Sequence, residues 1–258
     1  MKHSQLAIQF YTLRDFCRTA SDFAASCKRV RAIGYEAIQI SGIGPIPENE
    51  IVEILKGEGL TCCATHEPAD TVRKEPAKVV DRLQKLGVKY TAYPFPAGVD
   101  WSSQEHIDSL VADLDAAGAV LRAAGQVLTY HNHANEFIKT ASGQSALDYI
   151  YAKSDPQNLM AELDTYWVQF GGGDPTEWCK KMTGRLPLLH MKDYGFGADN
   201  RPFFAEVGSG NFDWSRILPA AEAAGCEFYI VEQDVCPGDP FDSIQKSYDY
   251  LSENFIQS

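Results

Sequence analysis

TYHNHANEF (Thr129–Phe137), LMAELDTYW (Leu159–Trp167), LPLLHMKD (Leu186–Asp193) and FYIVEQD (Phe228–Asp234) share one pattern. Each opens on apolar residues and carries a histidine, aspartate or glutamate toward its end. Short apolar runs of this kind read as buried strands. In a closed barrel of parallel strands the C-terminal ends converge on one mouth, where the connecting loops build the active site. Side chains that bind metals or move protons would then meet at that mouth.

The flanking sequence supplies the other units of such a barrel. Gln5–Leu13, Ala37–Ser41, Thr61–Pro68 and Lys89–Phe95 read as four earlier strands, and Val127–His133 as the fifth. Helices are expected over Ser21–Ile33, Glu48–Gly57, Asp70–Leu86 and Ser103–Ala124, then over Ser145–Lys153, Pro175–Met182, Asp213–Ala224 and Phe241–Phe255. Ser21 is the expected cap of the first helix and Gly34 its stop. Eight strand–helix pairs in 258 residues give about 32 residues each, which suits a barrel. The expected fold class is therefore α/β, a (β/α)8 TIM barrel, as a single domain over residues 1–258. An open doubly wound sheet is the competitor, but no glycine-rich turn follows the first strand. Tyr194–Asn211 is long for a strand-to-helix connection and rich in Gly, Asp and Asn, so a lid or binding loop is expected there.

A net charge of -12 speaks against a nucleic-acid partner, because phosphate binding needs clustered Lys and Arg. It suits a small neutral ligand or a metal. The seven cysteines are odd in number and none sits in a CxxC pair, so neither a zinc knuckle nor a disulfide framework is indicated. Buried, reduced thiols in a cytoplasmic protein are the plain reading. Met1–Leu13 has neither a long apolar core nor a small-residue cleavage site, so no signal peptide is read there; a leader removed beforehand is left open. No apolar run approaches the roughly 20 residues of a membrane span. Association of identical subunits is also left open.

Side chains alternate faces along a strand. Glu162 shares a face with Asp164, His190 with Lys192, and Glu232 with Asp234. If that face is the barrel interior, Asp164, His190 and Glu232 reach the mouth from neighbouring strands. A carboxylate–imidazole–carboxylate set suits one divalent ion such as Mn, Mg, Zn or Co. Separate capping or salt-bridging roles are the competing explanation, and three such residues at equivalent strand ends argue against it. In the fifth strand His131 and His133 share a face, with Glu136 in the loop beyond. The two histidines suit either metal ligation or hydrogen bonding to substrate hydroxyls.

These residues also carry a resemblance. GYEAIQIS (Gly34–Ser41), YHNHANEF (Tyr130–Phe137), ELDTYW (Glu162–Trp167), LLHMKD (Leu188–Asp193), VGSGNFDW (Val207–Trp214) and IVEQD (Ile230–Asp234) resemble the xylose-isomerase-like barrel superfamily of sugar phosphate isomerases and epimerases. That superfamily includes inosose dehydratase and the endonuclease IV fold. The likeness covers nearly the whole chain. It implies a divalent metal held by Glu, Asp, His and Glu from strands five to eight. Asp164, His190 and Glu232 match the last three positions. At the first, His131 stands where many members have glutamate. Likeness to a His-rich branch favours Glu136 as the fourth ligand. Position along the strand and charge balance favour His131. The expected set is Glu136, Asp164, His190 and Glu232, with His131 as the alternative to Glu136. Endonuclease IV binds more metals through extra histidines and works on DNA, which an acidic chain with six histidines does not match.

The resemblance implies a metal-dependent sugar isomerase or epimerase working through a metal-stabilised enediolate. Glu232 is the first candidate base. Glu136 and His131 are further catalytic candidates, and Lys192 would polarise a ketone or hold a hydroxyl. Isomerisation, epimerisation and elimination share metal and base, so the alternative is a lyase or dehydratase acting on a keto-sugar, an inosose or a 3-keto-glycoside. A second alternative is a catalytically silent sugar-binding barrel. His66, Glu67, His133, Trp167, Tyr11 and Gln39 are the expected substrate-binding residues. Tyr166 and Phe203 are further pocket walls, since pyranose faces stack on aromatics. Arg14 and Lys192 alone make a weak phosphate site, so the expected partner is an unphosphorylated carbohydrate.

Overall fold

The computed structural model describes residues 1–256. Seven parallel strands follow one another around a barrel: β1 (Leu6–Gln9), β2 (Ala37–Ile40), β3 (Thr61–His66), β4 (Tyr90–Tyr93), β5 (Val127–His131), β6 (Leu159–Asp164) and β7 (Leu188–Met191). An antiparallel hairpin of β8 (Asp193–Phe196) and β9 (Pro202–Ala205) stands outside the barrel. Strand β10 (Phe228–Val231) then pairs with β7 on one side and β1 on the other, closing the barrel with its eighth strand. The closed (β/α)8 architecture is the one expected from the repeating strand–helix pattern.

The inner face is layered. At the N-terminal end Ala7, Ala37, Ala64, Leu188 and Ile230 pack with Tyr90 in an apolar plug. Small residues on three strands make room for large ones on the others, as a filled barrel requires. One level higher the inward positions turn polar: Gln9 partners Gln39, and His131 partners Glu162. Above them Asp164 partners His190. A register shift between Ile38 and Gln39, opposite Cys62 and Ala64, re-phases β3 so that Ala64 and His66 face inward.

Helices surround the strands: α1 (Ala20–Ile33), α2 (Glu48–Glu58), α3 (Ala69–Lys74), α4 (Pro76–Leu86), α5 (Gln104–Ala123), α6 (Ala146–Lys153), α7 (Thr165–Phe170), α8 (Pro175–Lys181), α9 (Trp214–Ala223) and α10 (Pro240–Asn254). Leu110, Leu114 and Leu121 of α5 and Ile244 and Leu251 of α10 join the core formed by outward strand residues such as Leu6, Ile8, Ile38 and Leu128. Among the described residues no helix is long and apolar enough to cross a membrane.

Several boundaries differ from those read in the sequence, each for a local reason. The strand expected over Gln5–Leu13 ends at Gln9, whose side chain accepts from Tyr11 N and opens a 3-10 turn over Phe10–Phe16. Thr19 rather than Ser21 caps α1, because Thr19 and Asp22 form a reciprocal capping box. The helix expected over Asp70–Leu86 is two helices. Pro76 has no N–H and disfavours helical backbone at Glu75, so α3 stops there and α4 restarts. β6 stops at Asp164, which accepts from Trp167 N and caps α7, so Tyr166 and Trp167 stand on a helix.

The Tyr194–Asn211 segment, expected as a lid or binding loop, holds most of the β8–β9 hairpin and is fastened down by Asp193. The Asp193 carboxylate accepts from Tyr194 N, Gly208 N and Trp214 Nε1, each at 2.8 Å. It accepts also from Gly210 N and Phe212 N, both at 3.3 Å. Residue 210 must be glycine here, since a Cβ would lie 2.3 Å from Asp193 Oδ1. The VGSGNFDW stretch thus has a structural role, wrapping a buried carboxylate.

Candidate active site

The strand ends converge as their spacing demanded. His131 from β5, Asp164 from β6, His190 from β7 and Glu232 after β10 are all buried, and their ligand atoms lie within 4.8 Å of one another. The fourth member is His131 and not Glu136. Glu136 sits in a 3-10 turn, Asn135–Phe137, after β5. Its carboxylate accepts from Tyr130 Oη and from His133 N, both at 2.9 Å. Tyr130 packs against Tyr93 and Tyr151 in the strand–helix layer, so Glu136 is drawn to that layer and away from the mouth. Burial raises its pKa to about 7.

Lys192 sits among carboxylates. Its Nζ lies 2.9 Å from Asp164, 2.8 Å from Glu232 and 3.1 Å from Asp234. Burial works against its charge, but these three overcome it and raise its pKa. One layer deeper, Glu162 faces three imidazoles: Oε1 is 2.5 Å from His66 Nε2, 3.2 Å from His131 Nδ1 and 3.1 Å from His190 Nε2. From the sequence Glu162 is expected on the inner face, at most as a salt-bridge partner of Lys192; Lys192 pairs with Asp164 instead. The available signal was a pair of glutamines, Gln9 and Gln39, at like positions in neighbouring apolar strands.

Charge is distributed unevenly. Burial opposes ionisation of His190, yet Glu162 and Glu232 lift its pKa to about 10. Against the same opposition, His190 and His66 hold Glu162, and Lys192 and His190 hold Glu232, well below the usual carboxylate range. Burial raises Asp164 to about 6. It pushes His131 well below the usual imidazole value, helped by the charge on His190, and His133 down to about 3, helped by Lys192. The site therefore alternates fixed charges with two neutral imidazoles.

The donor set of two imidazoles and two carboxylates suits a divalent transition ion. His131 Nδ1 faces Glu162 Oε1 at 3.2 Å and Asp164 Oδ2 faces Lys192 Nζ at 2.9 Å. Four such donors, buried and converging within 4.8 Å, match the several ligands a divalent ion takes at once. The residues present thus fit a metal ion.

Above the group lies a cavity of about 490 Å³, lined in part by Tyr11, Arg14, His66, Phe95, His131, His133, Lys192, Glu232, Asp234 and Val235. Of the residues expected to bind substrate, Tyr11, His66 and His133 line this cavity. Trp167 stands behind His133, ring centroids 5.4 Å apart. Gln39 does not reach the cavity; it is fully buried beneath the site. Glu67 turns away to pair with Arg82 at 3.0 Å. Tyr166 packs on Phe204 at 4.3 Å, and Phe203 is exposed on the hairpin. Arg14 spends its guanidinium on the carbonyls of Tyr11 and Asp234, at 2.7 and 3.0 Å.

A barrel with such a mouth defines a class, and comparison with known proteins agrees. The family described as xylose isomerase-like TIM barrel matches residues 27–253; the chain belongs to that family. The chain is 26% identical over 168 residues to inosose dehydratase of Geobacillus thermodenitrificans, covering 58% of this chain and 55% of that protein. It thus spans about half the length of the curated relatives it matches. A sugar phosphate isomerase/epimerase from Parabacteroides distasonis superposes with a TM-score of 0.83 at 23% identity, over 100% of this chain and 96% of that one. L-ribulose 3-epimerase superposes with a TM-score of 0.75 at 16% identity, over 97% and 94%. At these identities the two structures speak to the fold.

Proposed function

We propose that this protein is a lyase that removes water or an alcohol from a neutral keto-sugar or keto-cyclitol. The observation that carries the reading is the one-sided placement of the cavity's carboxylates. Glu232 and Asp234 both follow β10, while β3, β5 and the residues just after β5 bring histidines, His66, His131 and His133, and no carboxylate to the cavity. Epimerisation needs an acceptor and a donor of protons on opposite faces of the carbon. His131 belongs to the metal group, and burial holds His133 neutral with a pKa of about 3, which suits contact with hydroxyls better than proton transfer. Elimination needs only one shuttling carboxylate. The C–H bond beside the ketone breaks, its electron pair forms the C=C bond, the neighbouring C–O bond breaks, and the departing oxygen takes the proton back.

Asp234 fits the shuttle better than Glu232, the residue favoured from sequence. Burial raises the pKa of Asp234 against the pull of Lys192, toward a working pH, whereas Glu232 is held well below the usual range. Lys192 Nζ lies between the two carboxylates and can hold a substrate oxygen. A divalent ion on His131, Asp164, His190 and Glu232 would supply Lewis acidity at the ketone oxygen. The dehydratase name of the sequence relatives supports elimination. The engaged Arg14 and enclosed Lys192 support an unphosphorylated substrate. The test is incubation with an inosose and with a 3-keto-glycoside in deuterated water, followed by NMR. Loss of water or alcohol with formation of an enone is expected. An inverted centre carrying deuterium, with every oxygen retained, would return the protein to the epimerases.

A further inference from the structure

Beneath the site runs a hydrogen-bonded chain that the proposed chemistry does not use. Gln9 Nε2 donates to Gln39 Oε1 at 2.9 Å, and Gln39 Nε2 donates to Glu162 Oε2 at 2.7 Å. All three residues are fully buried. A carboxylate only accepts, so the amide of Gln39 has one orientation, with its NH2 toward Glu162. Its oxygen then lies 2.6 Å from His190 Nε2. An amide oxygen also only accepts, so His190 Nε2 carries a hydrogen. Glu162 Oε1, 3.1 Å from the same nitrogen, favours that hydrogen too. The other ring nitrogen, Nδ1, faces Glu232 Oε2 at 2.8 Å, on the side of the Asp164–Glu232 group.

We infer that the Gln9–Gln39–Glu162 chain is a positioning device that commits His190 to ligate the divalent ion through Nδ1. The inference rests on the reading of His131, Asp164, His190 and Glu232 as a metal centre. It also decides between two clusters. His66, His131, Glu162 and His190 form a second, deeper group of potential ligands. In that group His190 offers Nε2, the nitrogen turned toward Glu162, which the hydrogen needed by Gln39 keeps occupied. The chain therefore directs the ion outward, to the cavity where substrate arrives. An imidazole ligand whose second nitrogen loses its partner costs about 10- to 100-fold in metal affinity. Gln39 is that partner, and Glu162 fixes Gln39 from behind.

The test loads the 258-residue chain with cadmium-113 and correlates the metal with imidazole protons by NMR. Ligation through Nδ1 couples the ion to Hε1 alone, whereas ligation through Nε2 couples it to Hε1 and Hδ2. For His190 we expect coupling to Hε1 alone. Coupling to both protons would overturn the inference and move the ion to the deeper cluster. Wild-type protein that retains no cadmium would overturn the metal centre itself, and the inference with it. Gln39→Met keeps side-chain length and removes all three hydrogen bonds, to Gln9, Glu162 and His190. Its cadmium affinity, titrated calorimetrically, should fall about 10- to 100-fold. An affinity within about twofold of wild type would show that Gln39 does not position the ligand. Should this variant not fold, the wild-type spectrum still decides.

Discussion

Lys192→Met isolates the internal counter-charge of the site. The substitution keeps an aliphatic stem and removes ion pairs to Glu232, Asp164 and Asp234 at 2.8, 2.9 and 3.1 Å. Lys192 is 1% exposed and Asp164 is 0% exposed, so water cannot replace the ammonium. Removing one partner of a buried pair costs about 3–5 kcal/mol. Part of this is relieved when Asp164, already raised to about 6, takes a proton. That relief grows as pH falls, so the deficit should be larger at pH 8 than at pH 5. For a chain of this size each kcal/mol moves Tm by about 2–4 °C, so in chelator Tm should drop by about 6–20 °C. A divalent ion brings positive charge to the same carboxylates, so excess manganese should restore most of the loss. The variant should also bind the ion more tightly than wild type, because no ammonium competes. Thermal and denaturant unfolding, each with chelator and with excess metal, reads all of this. A variant that melts within about 2 °C of wild type in chelator, or one that metal does not rescue, would refute the counter-charge reading.

His131→Ala should lose bound metal and Glu136→Gln should retain it, measured as metal content of the purified proteins; the reverse pattern would restore Glu136 as the fourth ligand. Asp234→Asn should keep its metal and lower kcat by about 100-fold or more, and unchanged turnover would hand the proton shuttle back to Glu232. The folded pKa of Glu136, about 7, lies above its ordinary 4.5, so its contribution to stability is present below that ordinary value and is lost as pH rises through about 7. The stability of wild type relative to Glu136→Gln should therefore fall between pH 5 and pH 8. Each tenfold change in proton affinity is worth about 1.4 kcal/mol, so the fall should reach a few kcal/mol at most; a flat difference would mean that the carboxyl is not confined as described. Asp193→Asn turns one acceptor oxygen into a donor and strands at least two of the N–H groups around it. At about 1–3 kcal/mol each, denaturant unfolding should show a loss of about 2–6 kcal/mol. A loss below about 1 kcal/mol would show that the wrapped loop does not depend on the carboxylate.

The barrel was legible because its cause is local. Strand period and helix period differ, and their alternation through the chain leaves little choice but parallel pairing with crossovers. The same period placed Asp164, His190 and Glu232 on one face, and their convergence follows from barrel closure alone. Boundaries set by capping atoms, such as Thr19 with Asp22 or Asp164 with Trp167 N, were less legible because neighbouring residues offer similar chemistry. The choice between His131 and Glu136 lay beyond local pattern. In the structure His131 joins the buried group, while a turn of three residues, Asn135–Phe137, and the hydroxyl of Tyr130 in the outer layer hold the glutamate elsewhere. Gln39 shows the same limit: alternation put it inside the barrel, but whether an inward side chain lines the cavity or lies under its floor depends on its level along the axis. That level is set by the register of β1, β2 and β3, including the shift beside Ile38. Lys192 and Glu162 acquire their partners in the same way, from strands brought together only by closure. Sequence sets which face a side chain takes, because that is a property of the backbone period. Which charged atoms come within 3 Å of one another is a property of the closed barrel, since the partners stand on different strands.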